Sequence, residues 1–313
     1  MPGFPTIEQT LVSVIVPTRD RPRFVLEAVK SVLAQTLRPL ELLVVDDGFG
    51  DQVAEALTVL RGRAGFPIQV LKGSARGPAA ARNVGLRQAR GELAAFLDDD
   101  DVWMPEKLAW QAAAFARVPR LGLVGTYSVR TEGPVTPSPG GRKMPRRLRR
   151  ISEAALLRGN RLVTSSVVAR RECFQECGGF DESLPLAQDW DMWLRIAGRW
   201  EIGIVPARLT LYRLHSDQRS ANSLHMRFCE AEVVSRALRR GRLGGRWGEG
   251  VARRRLAWAH CRIGRRLARE GDRQTCLREL KQAKGLLPYH PAVWGALARC
   301  ALAGRAPAGA RQL

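Results

Sequence analysis

Long apolar runs are missing from this 313-residue sequence, and no stretch reaches the roughly 18 residues that a membrane-spanning helix requires. The N-terminal decapeptide has no basic segment followed by an apolar one, so we expect no secretory signal. The six cysteines are scattered and form no CxxC pair, which argues against a zinc site or a disulfide framework. These absences predict a cytoplasmic protein with reduced thiols.

Acidic residues are also scarce, since 51 Lys and Arg face 30 Asp and Glu and leave a net charge of +21. Residues 227–313 carry much of this excess, with 20 Lys and Arg against 6 Asp and Glu. One interpretation is an anionic partner, such as peripheral contact with the inner face of the cell membrane. The other is a coding bias toward arginine. Nucleic acid is not expected, because the arginines lack a binding motif and interleaved aromatic residues.

Strand-like and helix-like segments alternate along the first 125 residues. Short β-branched apolar runs predict buried strands, and helices follow them at proline or aspartate residues. The predicted strands are residues 11–16, 40–45, 67–71, 93–97 and 121–125, and the predicted helices begin at Pro22, Asp51, Pro78 and Pro105. This alternation predicts a doubly wound, mainly parallel α/β sheet with flanking helices.

The rest of the chain has a more helical pattern, first over residues 152–200 and then from about Leu224 onward. We therefore predict an α/β domain over residues 1–222 and a basic helical extension over residues 223–313. Small and apolar residues between Ala257 and Pro288 are spaced like one helical hairpin, similar to a single tetratricopeptide unit. A plain hairpin is the simpler interpretation, because stable arrays need about three repeats.

Four consecutive aspartates, Asp98 to Asp101, follow the fourth predicted strand. Their mutual repulsion is costly unless a positive charge lies nearby. A solvated acidic turn is one interpretation, and a divalent-cation site is the other, since Mg²⁺ and Mn²⁺ prefer carboxylate oxygens. Pro17 and Asp46 also lie where predicted strands end. Because ligands bind beyond the carboxyl ends of such strands, we expect these residues to border one crevice.

Seven motifs, in order over roughly residues 10–220, resemble the family 2 glycosyltransferases of the GT-A fold. They are VSVIVPT (12–18), VVDDG (44–48), ARNVG (81–85), FLDDDDVW (96–103), GGFDE (178–182), QDWDMWLR (188–195) and YRLH (212–215). Any one motif would be weak, but their conjunction is specific. The resemblance implies an inverting transfer of a sugar from a nucleotide diphosphosugar, with a UDP-sugar as the expected donor. The acceptor would be a polysaccharide, a lipid-linked glycan or a protein.

The resemblance also implies which residues bind the donor. Pro17, Thr18 and Asp46 match the pocket for the nucleotide base, and Arg82 lies where a basic residue often approaches the diphosphate. Two departures bear on that pocket, namely Asp20 where the family commonly has asparagine and Phe49 where it commonly has serine. Thymidine and guanosine diphosphosugars therefore stay open as donors.

The acidic run matches the DxD motif of the family. In this register Asp100 is the expected ligand to Mn²⁺ or Mg²⁺, and His215 matches a histidine that some members supply as an additional ligand. Asp98 and Asp99 would face the ribose or the donor sugar. Asp101 is expected to be a helix cap or a partner of these groups.

Asp189 matches the catalytic base of the family. A sugar hydroxyl is a poor nucleophile, and a carboxylate within hydrogen-bonding reach can remove its proton as it attacks. The family usually has glutamate before this aspartate, and this sequence has Gln188. The alternative function is a non-catalytic interaction protein that keeps the fold, but intact Asp100, Asp189 and His215 argue against it.

Overall fold

The structure is a computed structural model, and it describes residues 11–133, 143–145, 147–215, 224–241, 243–244 and 246–302. Contacts divide the chain into two compact units. The first contains residues 1–152 and 160–218, and the second contains residues 153–159 and 219–313. The predicted boundary at residues 222 and 223 gives segment 153–159 to the α/β domain, whereas its contacts group it with the C-terminal helices.

The first unit is built on one twisted sheet. The strands of its described residues are β1 (Val12–Thr18), β2 (Glu41–Asp46), β3 (Ile68–Lys72), β4 (Leu93–Phe96), β5 (Val102–Trp103), β6 (Leu121–Glu132), β7 (Arg149–Ile151), β8 (Val168–Arg170) and β9 (Glu201–Leu214). Their spatial order is β3-β2-β1-β4-β8-β6-β9-β5, with β7 beside β9. Strands β1 to β4 pair in parallel, as do β6 and β9, while β5, β7 and β8 pair antiparallel with their neighbours. The predicted α/β class with a mainly parallel sheet is confirmed.

Helices flank this sheet and make up the second unit. They are α1 (Pro22–Leu33), α2 (Gln52–Arg61), α3 (Pro78–Gln88), α4 (Lys107–Arg117), α5 (Glu153–Leu157), α6 (Arg171–Cys177), α7 (Gln188–Ala197), α8 (Leu224–Arg240), α9 (Arg246–Glu270), α10 (Arg273–Leu286) and α11 (Pro291–Leu302). Helices α1 and α3 begin at the prolines where they were predicted, and α4 begins two residues after Pro105. The region predicted as mostly helical, residues 152–200, also contains strand β8.

Strands β1 and β2 enclose a buried carboxylate, that of Glu41. Strands β1 and β2 are buried along their whole lengths. The Glu41 carboxylate lies between them and accepts hydrogen bonds from the Ser13 hydroxyl at 2.7 Å and from the Arg90 backbone N–H at 2.7 Å. Burial raises the pKa of Glu41, but these donors and the Arg90 guanidinium lower it by more, so the net shift is downward. The charge is therefore satisfied, as a buried carboxylate requires.

Close packing of α3 on β1 depends on a glycine. A Cβ atom at Gly85 would lie 2.5 Å from Cγ2 of Ile15, much nearer than two carbon atoms can approach. Residue 85 closes the ARNVG motif, so the motif glycine has a packing role. The absence of a side chain there lets α3 bring its polar residues to the edge of the sheet.

In the second unit, α9 and α10 form the predicted helical hairpin. The turn uses Gly271 in the left-handed region, with φ of 86°, and the Asp272 carboxylate caps α10 by accepting the Thr275 backbone N–H at 3.0 Å. A Cβ atom at Gly264 would lie 2.9 Å from the Leu280 side chain, so that glycine permits close helix contact. The similarity to a tetratricopeptide unit stays a prediction. Among the described helices, none combines the length and apolar character of a membrane span.

Candidate active site

The predicted base-pocket residues lie side by side at the carboxyl ends of β1 and β2. Thr18 pairs with Asp46 in the strand register, and Pro17 pairs with Val45. The Asp46 carboxylate accepts the Gly48 backbone N–H at 3.0 Å, which fixes the turn after β2. The Asp46 side chain can accept this N–H because β2 ends at Asp46 and the chain turns back.

The two departures from the family pattern also border this turn. Asp20 has a left-handed backbone, with φ of 52°, and its carboxylate would lie within 2.1 Å of a Cβ atom at Gly48. Residue 48 must therefore stay glycine while Asp20 holds this conformation. Phe49 is 80% exposed, so its ring does not belong to the core of the unit.

The acidic run lies beyond β4, and its first two members have different partners. Asp98 Oδ1 accepts from Arg82 Nη2 at 2.5 Å, and the Asp98 backbone N–H donates to the Ser165 hydroxyl at 3.0 Å. Asp99 Oδ2 accepts from the Thr18 hydroxyl at 2.7 Å. Burial raises the pKa of Asp99 to about 6, and the Asp100 and Asp98 charges add to that increase against the Thr18 hydrogen bond.

Asp100 and His215 come together as the sequence predicted. Asp100 Oδ2 lies 2.9 Å from His215 Nε2 and 3.3 Å from Arg21 Nη1. Both predicted ligands are partly exposed, with side-chain exposures of 17% and 16%. A carboxylate oxygen and an imidazole nitrogen thus face one another at a partly exposed position.

Asp100 and His215 suit a cation whose remaining ligands come from the substrate and water. Among the described residues, no cluster of three or more His, Cys, Asp and Glu side chains could hold a metal ion. Mg²⁺ and Mn²⁺ sites commonly use one or two protein ligands together with phosphate oxygens and water. Asp100 and His215 fit that arrangement, whereas a complete protein cage is not what these residues form.

Asp101 is not a helix cap. It is buried, and Oδ1 accepts the Arg213 backbone N–H at 3.1 Å, while the next helix begins only at Lys107. The helix-cap interpretation is therefore wrong, and Asp101 instead holds the end of β9 beside the acidic run. Burial, together with the Asp100 and Asp98 charges, raises its pKa well above the ordinary value.

The sequence did not predict the role of Phe24, whose ring packs beside the acidic run. The Phe24 ring stacks on the His215 imidazole with centroids 5.6 Å apart. The guanidinium groups of Arg21 and Arg213 lie 5.6 and 5.3 Å from its centroid. Arg21 also contacts Asp99 at 3.4 Å and Asp100 at 3.3 Å. Position in the first turn of α1 marks Phe24 as near the strand ends, but no spacing pattern singles it out.

Arg82 lies between the acidic run and Asp189. Its side chain is buried, pairs with Asp98 and lies over the Phe180 ring at 5.6 Å. Its charge also lowers the pKa of Asp189. The resemblance implies that Arg82 lies near the diphosphate. In the structure its guanidinium pairs with the Asp98 carboxylate.

The motifs containing Asn83 and Phe180 are fastened to each other. The Asn83 amide donates to the Phe180 carbonyl and accepts the Phe180 backbone N–H, both at 2.8 Å. Gly179 has φ of 67°, and a Cβ atom there would lie 2.9 Å from Asn83 Oδ1. Two motifs that lie far apart in the sequence therefore form one rigid corner.

Asp189 lies in the first turn of α7, after Ala187 in the strained left-handed region with φ of 58°. Its Oδ1 accepts the Trp190 backbone N–H at 2.8 Å, and its Oδ2 accepts from Asn160 at 2.8 Å and Thr164 at 3.3 Å. Burial raises its pKa, and the Arg82 charge and these donors act in the opposite direction. Such an environment is typical of a carboxylate that works as a base.

A sequence profile described as Glycosyl transferase family 2 matches residues 13–176, which is more than half of the chain. The chain belongs to glycosyl transferase family 2. This confirms the predicted family and the prediction of a glycosyltransferase.

Relatives support the same family. An uncharacterized glycosyltransferase of Rickettsia conorii, RC0461, is 30% identical over 218 residues, which cover 68% of this chain and 36% of that protein. The Escherichia coli UDP-Glc:alpha-D-GlcNAc-diphosphoundecaprenol beta-1,3-glucosyltransferase WfgD is 34% identical over 125 residues, 39% of this chain and 48% of that protein. The chain thus spans about a third to a half of the length of these relatives.

Solved structures share the fold of this family 2 chain. Residues 1–349 of Staphylococcus aureus TarS in complex with UDP superpose with a TM-score of 0.66 at 18% identity, covering 94% of this chain and 89% of that one. The mannosyltransferase PcManGT from Pyrobaculum calidifontis in complex with GDP-Man and Mn2+ gives 0.62 at 20% identity, covering 96% and 83%. The predicted GT-A fold with C-terminal helices is confirmed.

Proposed function

We propose that this chain transfers a sugar, with inversion, from a nucleotide diphosphosugar to a hydroxyl group of a polysaccharide, a lipid-linked glycan or a protein. The observation that carries the proposal is the position of Arg82, which pairs with Asp98 of the acidic run and acts on the pKa of Asp189. A donor site and a base therefore border one crevice at the carboxyl ends of the strands.

The donor would be a UDP-sugar. Thr18 and Asp46, adjacent in the sheet, would contact the uracil, with Pro17 below them, and Asp99 would face the ribose through its link to Thr18. TarS structures contain UDP and UDP-GlcNAc, and the name of WfgD specifies UDP-Glc, which supports uridine. The GDP-Man complex of PcManGT makes a guanosine donor the comparison to include.

Asp100 and His215 would hold Mn²⁺ or Mg²⁺. When bound, the ion stabilises negative charge on the departing nucleoside diphosphate. The Mn2+ in the PcManGT complex supports a metal for this chain as well. Arg82 would keep Asp98 in place beside this site, since the two side chains form a partly buried ion pair.

Asp189 would remove the proton from the acceptor hydroxyl. The acceptor oxygen then bonds to the anomeric carbon while the bond from that carbon to the diphosphate oxygen breaks. Attack from the side opposite the leaving group inverts the anomeric centre. Burial raises the pKa of Asp189, which makes the carboxylate a stronger base, and the nearby Arg82 charge acts against that increase.

The C-terminal helices would lie against an anionic surface, which places the protein in the cytoplasm at the inner face of the membrane. Supporting this, residues 227–313 carry 20 Lys and Arg against 6 Asp and Glu. Burial and the charges of Arg255, Arg227 and Arg265 also lower the pKa of Arg262, whereas the Glu230 charge raises it. An anion would relieve that repulsion. Sedimentation with vesicles of anionic lipid, compared with neutral lipid, tests the contact.

The test of the enzymatic proposal is a panel of nucleotide sugars incubated with the protein and Mn²⁺. We expect hydrolysis of at least one UDP-sugar and a loss of that activity on chelation of the metal. Absence of hydrolysis with every donor, together with absence of metal-dependent nucleotide binding, would favour the non-catalytic interaction protein. A guanosine donor as the best substrate would overturn the uridine assignment alone.

A further inference from the structure

The segment between α5 and β8 contacts both the acidic run and Asp189. We call residues 160–166 the bridging turn; it ends in a 3-10 turn at Thr164–Ser166. Thr164, Ser165 and Ser166 are all buried. The Ser165 carbonyl accepts from the Trp103 indole at 2.6 Å, and the Ser166 carbonyl accepts from the Gln111 amide at 2.9 Å. The turn is therefore fixed to the elements that follow the acidic run.

One side of the bridging turn contacts the acidic run. The Ser165 hydroxyl accepts the Asp98 backbone N–H at 3.0 Å, where the run begins. The Asp98 carboxylate is held separately by Arg82. Ser165 therefore fixes the backbone of the run, and its neighbour Thr164 points to a different group.

The other side of the bridging turn contacts Asp189. Among the contacts of the described residues, Oδ2 receives two hydrogen bonds, from Asn160 and Thr164, and Oδ1 receives one, from the Trp190 backbone. A carboxylate has about four acceptor positions, two on each oxygen. The position left for an incoming hydroxyl is therefore on Oδ1.

We propose that Asn160 and Thr164 are positioning residues for Asp189, holding Oδ2 so that Oδ1 receives the proton of the acceptor hydroxyl. The inference rests on the proposed function, because it takes Asp189 as the base. The residues touch the base and not the reacting atoms, so they act through it. Asn160 is exposed, so its role is not that of a core residue.

The pH dependence of transfer distinguishes a positioning role of Asn160 and Thr164 from a structural one, because loss of a purely structural contact would leave the pH–rate profile unchanged. Hydrogen bonds to a carboxylate favour its ionised form, and the Asn160 amide lowers the pKa of Asp189. The charged groups that face Asp189 are Arg82 on α3 and Asp98 after β4. A base must be ionised to act, so losing a donor to Oδ2 moves the acidic limb of the pH–rate profile to higher pH.

The experiment compares Asn160→Ala and Thr164→Val with the unaltered full chain. We expect kcat to fall about tenfold for Asn160→Ala, since a hydrogen bond to a charged group is lost, with KM for the donor unchanged. The acidic limb should move to higher pH in both variants. Thr164→Ser retains the hydroxyl and should restore the profile. Thr58→Val, which removes an exposed hydroxyl bonded to the Ala54 carbonyl, is the matched control.

The outcomes separate the inference from the proposed function. A lower kcat with an unmoved pH profile, or no change in either, would overturn the positioning role. If Thr164→Val does not fold, Asn160→Asp supplies the same test, because a second carboxylate beside Oδ2 should move the limb further. Asp189→Asn is measured in parallel. An active Asp189→Asn would refute the base itself, whereas an inactive one with an unmoved Asn160→Ala profile refutes only the positioning.

Discussion

The two halves of the sheet differ in regularity and in what they contribute to the crevice. The parallel half, β1 to β4, has strands joined by helices, and its strand ends present Thr18, Asp46 and Asp98. The mixed half, β5 to β9, has register shifts between β6 and β9 and three antiparallel strands. Asp189 and His215 come from elements that accompany this mixed half. Regular topology positions the proposed donor-binding residues, whereas individual side-chain contacts position the proposed base.

The largest loss of activity should come from a substitution at Asp189, which accompanies the mixed half. Asp189→Asn removes the base while keeping the shape of the side chain, and we expect transfer to fall roughly 100- to 10,000-fold. UDP affinity measured by calorimetry should stay nearly unchanged, because the donor residues lie in the other half. Loss of UDP binding would contradict the assignment of donor binding to the parallel half and of the base to the mixed half.

Within the parallel half, the buried Asp99 should destabilise the fold when it ionises. Its pKa is about 6 in the folded chain against the ordinary 3.8, so the native state holds a proton that the unfolded state has lost. The free energy of unfolding should therefore fall as pH rises from about 4 to 6, by about 3 kcal/mol. Asp99→Asn should remove this dependence in urea denaturation with chelator present. An unaltered pH dependence would show that Asp99 ionises freely.

The contact between Asp100 and His215 joins the two halves. Asp100→Ala should weaken UDP affinity at least about tenfold when Mn²⁺ is present, because a proposed metal ligand is lost. Without metal the affinity should not change. Asp51→Ala serves as the control, since that aspartate is 78% exposed and pairs with Lys72 on the surface. An equal loss without metal would indicate a structural role for Asp100.

The smallest effect concerns Arg21, whose guanidinium contacts both Asp99 and Asp100. A cation that binds these carboxylates must compete with that charge. Arg21→Met should therefore tighten Mn²⁺ binding in the absence of donor, roughly two- to fivefold, as expected for a partly exposed ion pair. Arg21→Lys, which keeps the charge, should resemble the unaltered chain in the same calorimetric titration. Weaker Mn²⁺ binding by Arg21→Met would make Arg21 a support of the site.

The parallel half could be predicted from sequence because its signals are local. Each of β1 to β4 is a short apolar run, and Pro22 and Pro78 mark the helix starts. In the mixed half only β6 carried such a signal, at residues 121–125 where it begins, and the other strands lacked one. Strands β7 and β8 have three residues each, and β9 pairs with three different strands over 14 residues. Their conformation depends on pairing partners far away in the sequence, which no local pattern encodes.

The candidate site divides in the same way. The approach of His215 to Asp100 followed from the resemblance and is present at 2.9 Å. Arg21 reaches Asp99 across 78 residues and Asn160 reaches Asp189 across 29, and neither is part of a recognisable motif. Side chains that act through one tertiary contact carry no periodicity, so sequence alone could not select them.

The membership of segment 153–159 has a consequence for protein engineering. Helix α5 packs on α9, and Leu156 and Leu157 are fully buried. A gene fragment that stops near residue 222 would encode α5 without that helix, only a few residues before Asn160. We expect such a fragment to expose Leu156 and Leu157, so polar residues at these two positions should improve its solubility.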